Sequence, residues 1–183
     1  SVYDDLAERF RQAASRLTTG NGVEDGVDVG PLIDERAVVK VEQHIADAVQ
    51  KGGKVTLGGR RHSLGRTFFE VTVLTDANSE MALATEETFG PLAALFPFDD
   101  EEDVIRLANA SEFGLASYFY ARDLSRVWRV AEALEYGMVG VNTGLISTPE
   151  APFGGIKSSG LGREGSHYGI DEFTELKYVC LAV

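Results

Sequence analysis

Three stretches of the chain combine residue types that can do chemistry. Glu86-Glu87-Thr88-Phe89-Gly90-Pro91 sets two acids, an aromatic ring and a Gly-Pro turn just ahead of an apolar run. A carboxylate there can accept from a sugar hydroxyl while a ring beside it packs on a flat heterocycle. The same residues also suit a solvated turn. Gly160-Leu161-Gly162-Arg163-Glu164-Gly165 matches G-x-G-x-x-G. A dinucleotide site needs a strand before that pattern and a helix opening on its third glycine. Polar Lys157-Ser158-Ser159 precedes it here, so a tight glycine turn is expected instead. Asn142 to Gly155 follows an apolar run, where ligands gather in open α/β sheets, and Ser147 and Thr148 can donate to an anion or cap their own loop.

None of these forms a working catalyst by itself. His44, His62 and His167 lack metal-ligand spacing, and no serine sits in a G-x-S-x-G elbow. The single cysteine, Cys180, cannot close an internal disulfide or hold a metal cluster. Its apolar run, Tyr178 to Val183, suggests a buried, inert thiol. No catalytic residue and no metal site is assigned.

The elements that must position these residues alternate between helix and strand. Helical spacing covers 3–17 (Tyr3, Leu6, Phe10, Ala13, Ala14, Leu17). A second helix, capped by Asp34, carries Val38, Val41, Ile45, Ala48 and Val49 and stops at Gly52-Gly53. Strands are expected at 54–57, 69–74, within 91–98, at 115–120, 138–141 and 176–181. Asp99 or Asp100 caps a helix running to about Asn109, and Asp123 caps one with Leu124, Val127, Trp128, Ala131 and Leu134 inward. Residues 142–165 read as a long loop and 166–173 as a short helical turn. Alternation of this kind indicates an α/β fold with a mostly parallel, twisted sheet flanked by helices.

Composition narrows the partners. Apolar residues at 44% and charged residues at 25% are ordinary for a globular domain, and 183 residues suffice for one core. The 17 basic against 29 acidic residues give −12, which disfavours nucleic acid and anionic membranes as partners. No apolar stretch reaches the roughly 20 residues of a membrane span, and no signal-peptide pattern opens the chain. A cytoplasmic location is expected. Ser1 stands directly before a helical pattern, which suggests a cut or trimmed chain.

Taken together, several segments resemble the aldehyde dehydrogenase family. Glu86 to Pro91 resembles its E-E-x-F-G-P signature. Asn109 to Leu115 resembles A-N-x-x-x-x-G-L, and Pro152 to Gly160 resembles P-F-G-G-x-K-x-S-G. Gly30-Pro31-Leu32-Ile33 resembles a further G-P segment. They match in order and spacing along nearly the whole chain. Val71 departs from the proline usual at its position, away from the chemistry, and His167 stands where a lysine is frequent.

The resemblance implies the C-terminal part of the family's catalytic domain over residues 1–165, without the nucleophile segment. Residues 166–183 would then form a tail with an oligomerisation strand. The nucleophilic cysteine, general base and Rossmann domain would lie upstream, and this chain alone would be inactive. The implied chemistry is thiolate attack on an aldehyde, hydride transfer to NADP or NAD, and thioester hydrolysis. By the same resemblance Glu87 holds the nicotinamide ribose and Phe89 lies beside the nicotinamide. Phe153 belongs to the substrate funnel. Ser147 reaches a substrate carboxylate, as in the succinate-semialdehyde enzymes that Gly144-Leu145-Ile146-Ser147 resembles. A homo-oligomer, dimer or tetramer, is implied for the whole protein. Glutarate semialdehyde, or another small acid aldehyde, is the alternative substrate. A non-catalytic oligomerisation or binding domain is the alternative role.

Overall fold

The computed structural model describes residues 2–182. Two compact units make up the chain, Ser1–Asp99 and Asp100–Val183.

The first unit is organised around one helix. Helix α1 (Tyr3–Ala14) precedes it. It ends three residues before the expected limit, and of its apolar face only Ala14 is buried, while Leu6, Phe10 and Leu17 stay exposed. The Tyr3 hydroxyl ties α1 to the unit, donating to the Leu95 carbonyl at 3.0 Å and accepting from the Asp76 N–H at 2.8 Å. Helix α2 (Glu35–Gln50) forms where the pattern demands it. Extended Asp34 accepts from the Ala37 N–H at 3.0 Å, satisfying one of the open donors of the first turn. Val38, Val41, Ile45 and Ala48 recur at helical spacing and are all buried, whereas Val49 lies half exposed beyond the stripe. Gly52, at φ +96°, then turns the chain in a way an L side chain resists.

Strands β1 (Lys54–Leu57), β2 (Thr72–Thr75) and β3 (Leu92–Ala94) form a sheet in that order. β1 and β2 pair antiparallel with a bulge after Val55, and β2 and β3 pair parallel with Thr72 opposite Leu92. Phe69, expected within the second strand, forms only an isolated bridge to Arg61 yet is fully buried. It packs with Val38, Val41 and Ile45, while Ala48, Leu74, Ala77 and Met81 form a second cluster, and Leu92 touches both.

The second unit opens on α3 (Glu101–Asn109), capped by Asp100, whose carboxylate accepts from the Asp103 N–H at 2.8 Å. Strands β4 (Phe113–Gly114) and β5 (Ala116–Phe119) follow. Helix α4 (Leu124–Ala133) is capped by Asp123 as expected. Next come β6 (Met138–Val141) and β7 (Ile156–Lys157). β5 and β6 pair parallel, β4 and β7 antiparallel. The α/β class holds. The expected mostly parallel sheet is a set of three small sheets among the described residues, with two parallel and two antiparallel pairings. Alternation of helix and strand predicts crossovers, but β1–β2 and β4–β7 close through irregular chain that periodicity does not reveal.

Four further expectations change. On α4, Val130 is buried, whereas Leu124 and Trp128 face outward within this unit, because its apolar arc is wider than the surface available to cover it. The loop 142–165 contains β7, too short to show a period. Residues 176–181 form no strand and are exposed throughout, since a strand exists only when a neighbouring edge completes its ladder and this chain presents none to them. Cys180 is accordingly exposed and not buried.

Because Phe69 joins α2 to the sheet, Phe69→Ala should lower stability by about 3–5 kcal/mol in urea unfolding. A loss below about 1 kcal/mol would mean that the α2 cluster is not what holds this unit together.

Candidate functional site

The Glu86–Pro91 segment lies in the connection from β2 to β3, and α2 grips it along its length. The Asp47 carboxylate accepts from the Ala82 N–H at 2.7 Å and pairs with Lys51 at 2.6 Å, fixing the 3-10 turn Ala82–Ala84. One turn earlier on α2, His44 lies buried with Nδ1 2.6 Å from Thr88 Oγ1 and Nε2 3.4 Å from Glu86 Oε2. One turn earlier again, Lys40 Nζ is 3.4 Å from the same Glu86 oxygen. At Gly90 the chain runs so close to α2 that a Cβ would stand 2.5 Å from Val41 Cγ2. No larger residue fits there without displacing the segment.

These tethers sort the two acids. The Glu86 carboxyl is held below its ordinary range, first by the hydrogen bond from His44 and then by Lys40. Glu87 makes no hydrogen bond or ion pair among the described residues, and it lines a cavity of about 260 Å³ with Glu86, Leu83, Thr88, Leu92, Ala94 and Phe96. It is therefore an unclaimed acceptor at a cavity edge. The Phe89 ring is 76% exposed and lies outside that cavity's lining. The structure thus places Glu87 at a pocket and leaves Phe89 beside it in sequence as a bare apolar face.

The second unit holds the other expected residues. Asn142, at φ +56°, closes β6 and brackets Ala121, accepting from its N–H at 2.9 Å and donating to its carbonyl at 2.8 Å. The loop it launches carries Ser147, exposed and without a side-chain hydrogen bond among the described residues. Thr148 donates to Glu150, which lowers the Glu150 carboxyl below its ordinary range. Phe153 exchanges backbone hydrogen bonds with Glu164 at 2.8 and 2.7 Å. Its ring borders a cavity of about 550 Å³ together with Leu115, Arg163, Ile170, Glu172 and Phe173. Ser147 does not line that cavity, so these two residues are not brought together around it.

Gly160, Gly162 and Gly165 all adopt positive φ. β7 does precede them, but no helix opens on the third glycine. Arg163 occupies the turn, donating to the Gly155 and Gly162 carbonyls at 2.8 and 2.7 Å. A Cβ at Gly162 would stand 2.9 Å from the Glu172 carboxylate. The glycines serve a tight turn, as the polar residues before them imply.

Sequence reasoning missed His44 and Thr88. A signal existed, because His44 falls at position 44 of the buried series 38, 41, 45, 48, and a polar ring on a core face requires a partner. Thr88 offered none.

Comparison with known proteins gives these sites their setting. The profile of the aldehyde dehydrogenase family matches residues 1–179, and the chain belongs to that family. It is 61% identical over 182 residues to succinate-semialdehyde dehydrogenase [NADP(+)] GabD of Escherichia coli, covering 100% of this chain and 38% of that protein. It is 62% identical over 180 residues to a glutarate-semialdehyde dehydrogenase of Pseudomonas aeruginosa, covering 98% of this chain and 37% of that protein. The crystal structure of succinate-semialdehyde dehydrogenase from Burkholderia pseudomallei superposes with a TM-score of 0.97 at 63% identity, over 100% of this chain and 38% of that one. The chain thus spans about two-fifths of the length of these relatives.

The Glu86 tether has a pH signature. Its folded carboxyl titrates below the ordinary value of 4.5, so the stability it supplies is complete above that value and is lost as pH falls through the lower folded value. Glu86→Gln should lower the unfolding midpoint at pH 7, and its gap from wild type should close below pH 4.5. A gap that stays constant down to pH 3 would show that the charge of Glu86 contributes nothing.

Proposed function

We propose that this chain is the catalytic-domain portion of an NADP- or NAD-dependent dehydrogenase that oxidises succinate semialdehyde to succinate. Residues 1–165 contribute to that domain, and residues 166–183 form a tail that pairs with another subunit. The observation that carries the reading is identity of 61% and above, spread along the whole chain, to enzymes named for short acid aldehydes. A relative at 62% identity is a 3-sulfolactaldehyde dehydrogenase of Pseudomonas putida. The three named substrates share a small aldehyde with an anionic group at the far end. Glutarate semialdehyde is the second reading, on the same ground, because one methylene changes discrimination by only about 1–3 kcal/mol.

The residues present suit a nicotinamide cofactor. Glu87 is an unpaired carboxylate that can accept from both hydroxyls of a ribose, and the Phe89 ring offers an apolar face two residues on. When bound, the cofactor supplies the hydride acceptor. Glu87 fixes the ribose, and Phe89 shields the ring it carries from water. Ser147 faces the anionic end of the aldehyde with an unused hydroxyl, and Phe153 walls the route to it. The chain's one cysteine, Cys180, lies exposed in the tail, away from each of these residues in sequence. The 183-residue chain alone should therefore oxidise no aldehyde.

Apolar residues left bare in the second unit, among them Leu124, Trp128, Phe173 and Leu176, favour association into a homo-oligomer. No helix among the described residues is long and apolar enough to cross a membrane.

In the full-length enzyme carrying this sequence, wild type should prefer succinate semialdehyde to propanal. Ser147→Phe should cut that preference by at least about 10-fold in kcat/KM. Equal kcat/KM for the two aldehydes in wild type would overturn the acid-aldehyde assignment while leaving the family intact.

A further inference from the structure

His44 is a buried, ionisable ring to which the reading above gives no task. Its residue exposure is 3%, and it stands on α2 among Val41, Ile45 and Ala48. Burying an imidazole among aliphatic side chains is unfavourable unless both nitrogens find partners. Both do, and the partners are Thr88 at 2.6 Å and Glu86 at 3.4 Å, the residues immediately before and after Glu87. Hydrogen-bond logic fixes the roles. An ionised Glu86 can only accept, so Nε2 carries the proton directed at it. In the neutral ring Nδ1 is then the acceptor, and the Thr88 hydroxyl donates to it.

We propose that His44 is a positioning residue for cofactor binding: its ring grips Glu86 and Thr88 at once and so sets where the Glu87 carboxylate projects. This rests on Glu87 being the ribose acceptor. A carboxylate carried on an irregular segment would otherwise sample many directions, and holding it in one place removes an ordering cost from cofactor binding. The grip has a second point of support on the same helix, where Asp47 holds the Ala82 N–H at 2.7 Å. Lys40 neutralises the charge that Glu86 brings to the ring. Glu87 alone of the three consecutive side chains 86–88 is left without a tether, as an acceptor kept for a ligand requires.

The test uses the full-length enzyme with four variants: His44→Leu, Thr88→Val, their combination, and His44→Asn, whose side-chain carbonyl can take the place of Nδ1. Loss of the His44–Thr88 bond should raise the cofactor KM about 10-fold in either single variant, the order expected for one hydrogen bond in a preorganised site. The aldehyde KM should stay within about twofold, because nothing in the grip touches that substrate. The combined variant should be no worse than the worse single one, since both break the same contact. His44→Asn should recover most of the cofactor KM.

A cofactor KM unchanged in both single variants overturns the proposal. So does a parallel rise in both KM values with a fall in melting temperature, which would mark His44 as packing alone, and so does additivity in the combined variant. If His44→Leu fails to fold, Thr88→Val carries the same comparison with little change of buried volume. Failure of the Glu87 assignment shows differently, as a Glu87→Gln enzyme whose cofactor KM equals that of wild type.

Discussion

The first unit depends on α2 meeting two demands at once. One side of the helix buries Val38, Val41, Ile45 and Ala48 against Phe69, Leu74 and Met81. Along its edge, Lys40, His44 and Asp47 hold the segment that runs from Ala82 to Glu86 and Thr88. The spacing of these polar residues, 40, 44 and 47, is itself helical, so they form a stripe beside the apolar one. Without the apolar face the helix has no fixed position. Without the polar stripe the connection between β2 and β3 has no fixed path.

This arrangement explains how adjacent acids come to differ. Glu86 pairs with His44 and Lys40, while Glu87, one residue on, has no partner among the described residues, and both border the same cavity. Two identical side chains in one exposed segment thus differ in pairing, decided by which of them reaches the helix. Gly90 completes the geometry, because only a missing Cβ allows the chain to pass Val41 before entering β3.

The second unit is built on different terms. Val130, at 9% exposure, is its most buried large apolar side chain among the described residues, and much of its order comes from backbone brackets. Asn142 pins Ala121, and Lys157 Nζ reaches the Asn109 carbonyl at 2.9 Å. Arg163 fills a turn of left-handed glycines. A unit held this way carries its apolar residues outward, which accords with a chain that spans two-fifths of its relatives' length.

Helix positions, their aspartate caps and the buried face of α2 were legible in the sequence, because each is a local matter of spacing and of the nearest backbone donors. The E-E-x-F-G-P, A-N and P-F-G-G segments were legible too, and they pointed to the family that the whole-chain comparison then showed. The tertiary structure alone decided which residues 40 or more positions apart would meet. His44 finding Thr88, Lys157 finding Asn109, and the pairing of β4 with β7 all close long loops, and no periodicity encodes such partners. It decided as well that 176–181 stay unpaired here. Strand propensity belongs to a segment, but a strand needs a second edge, and that edge is a property of the fold.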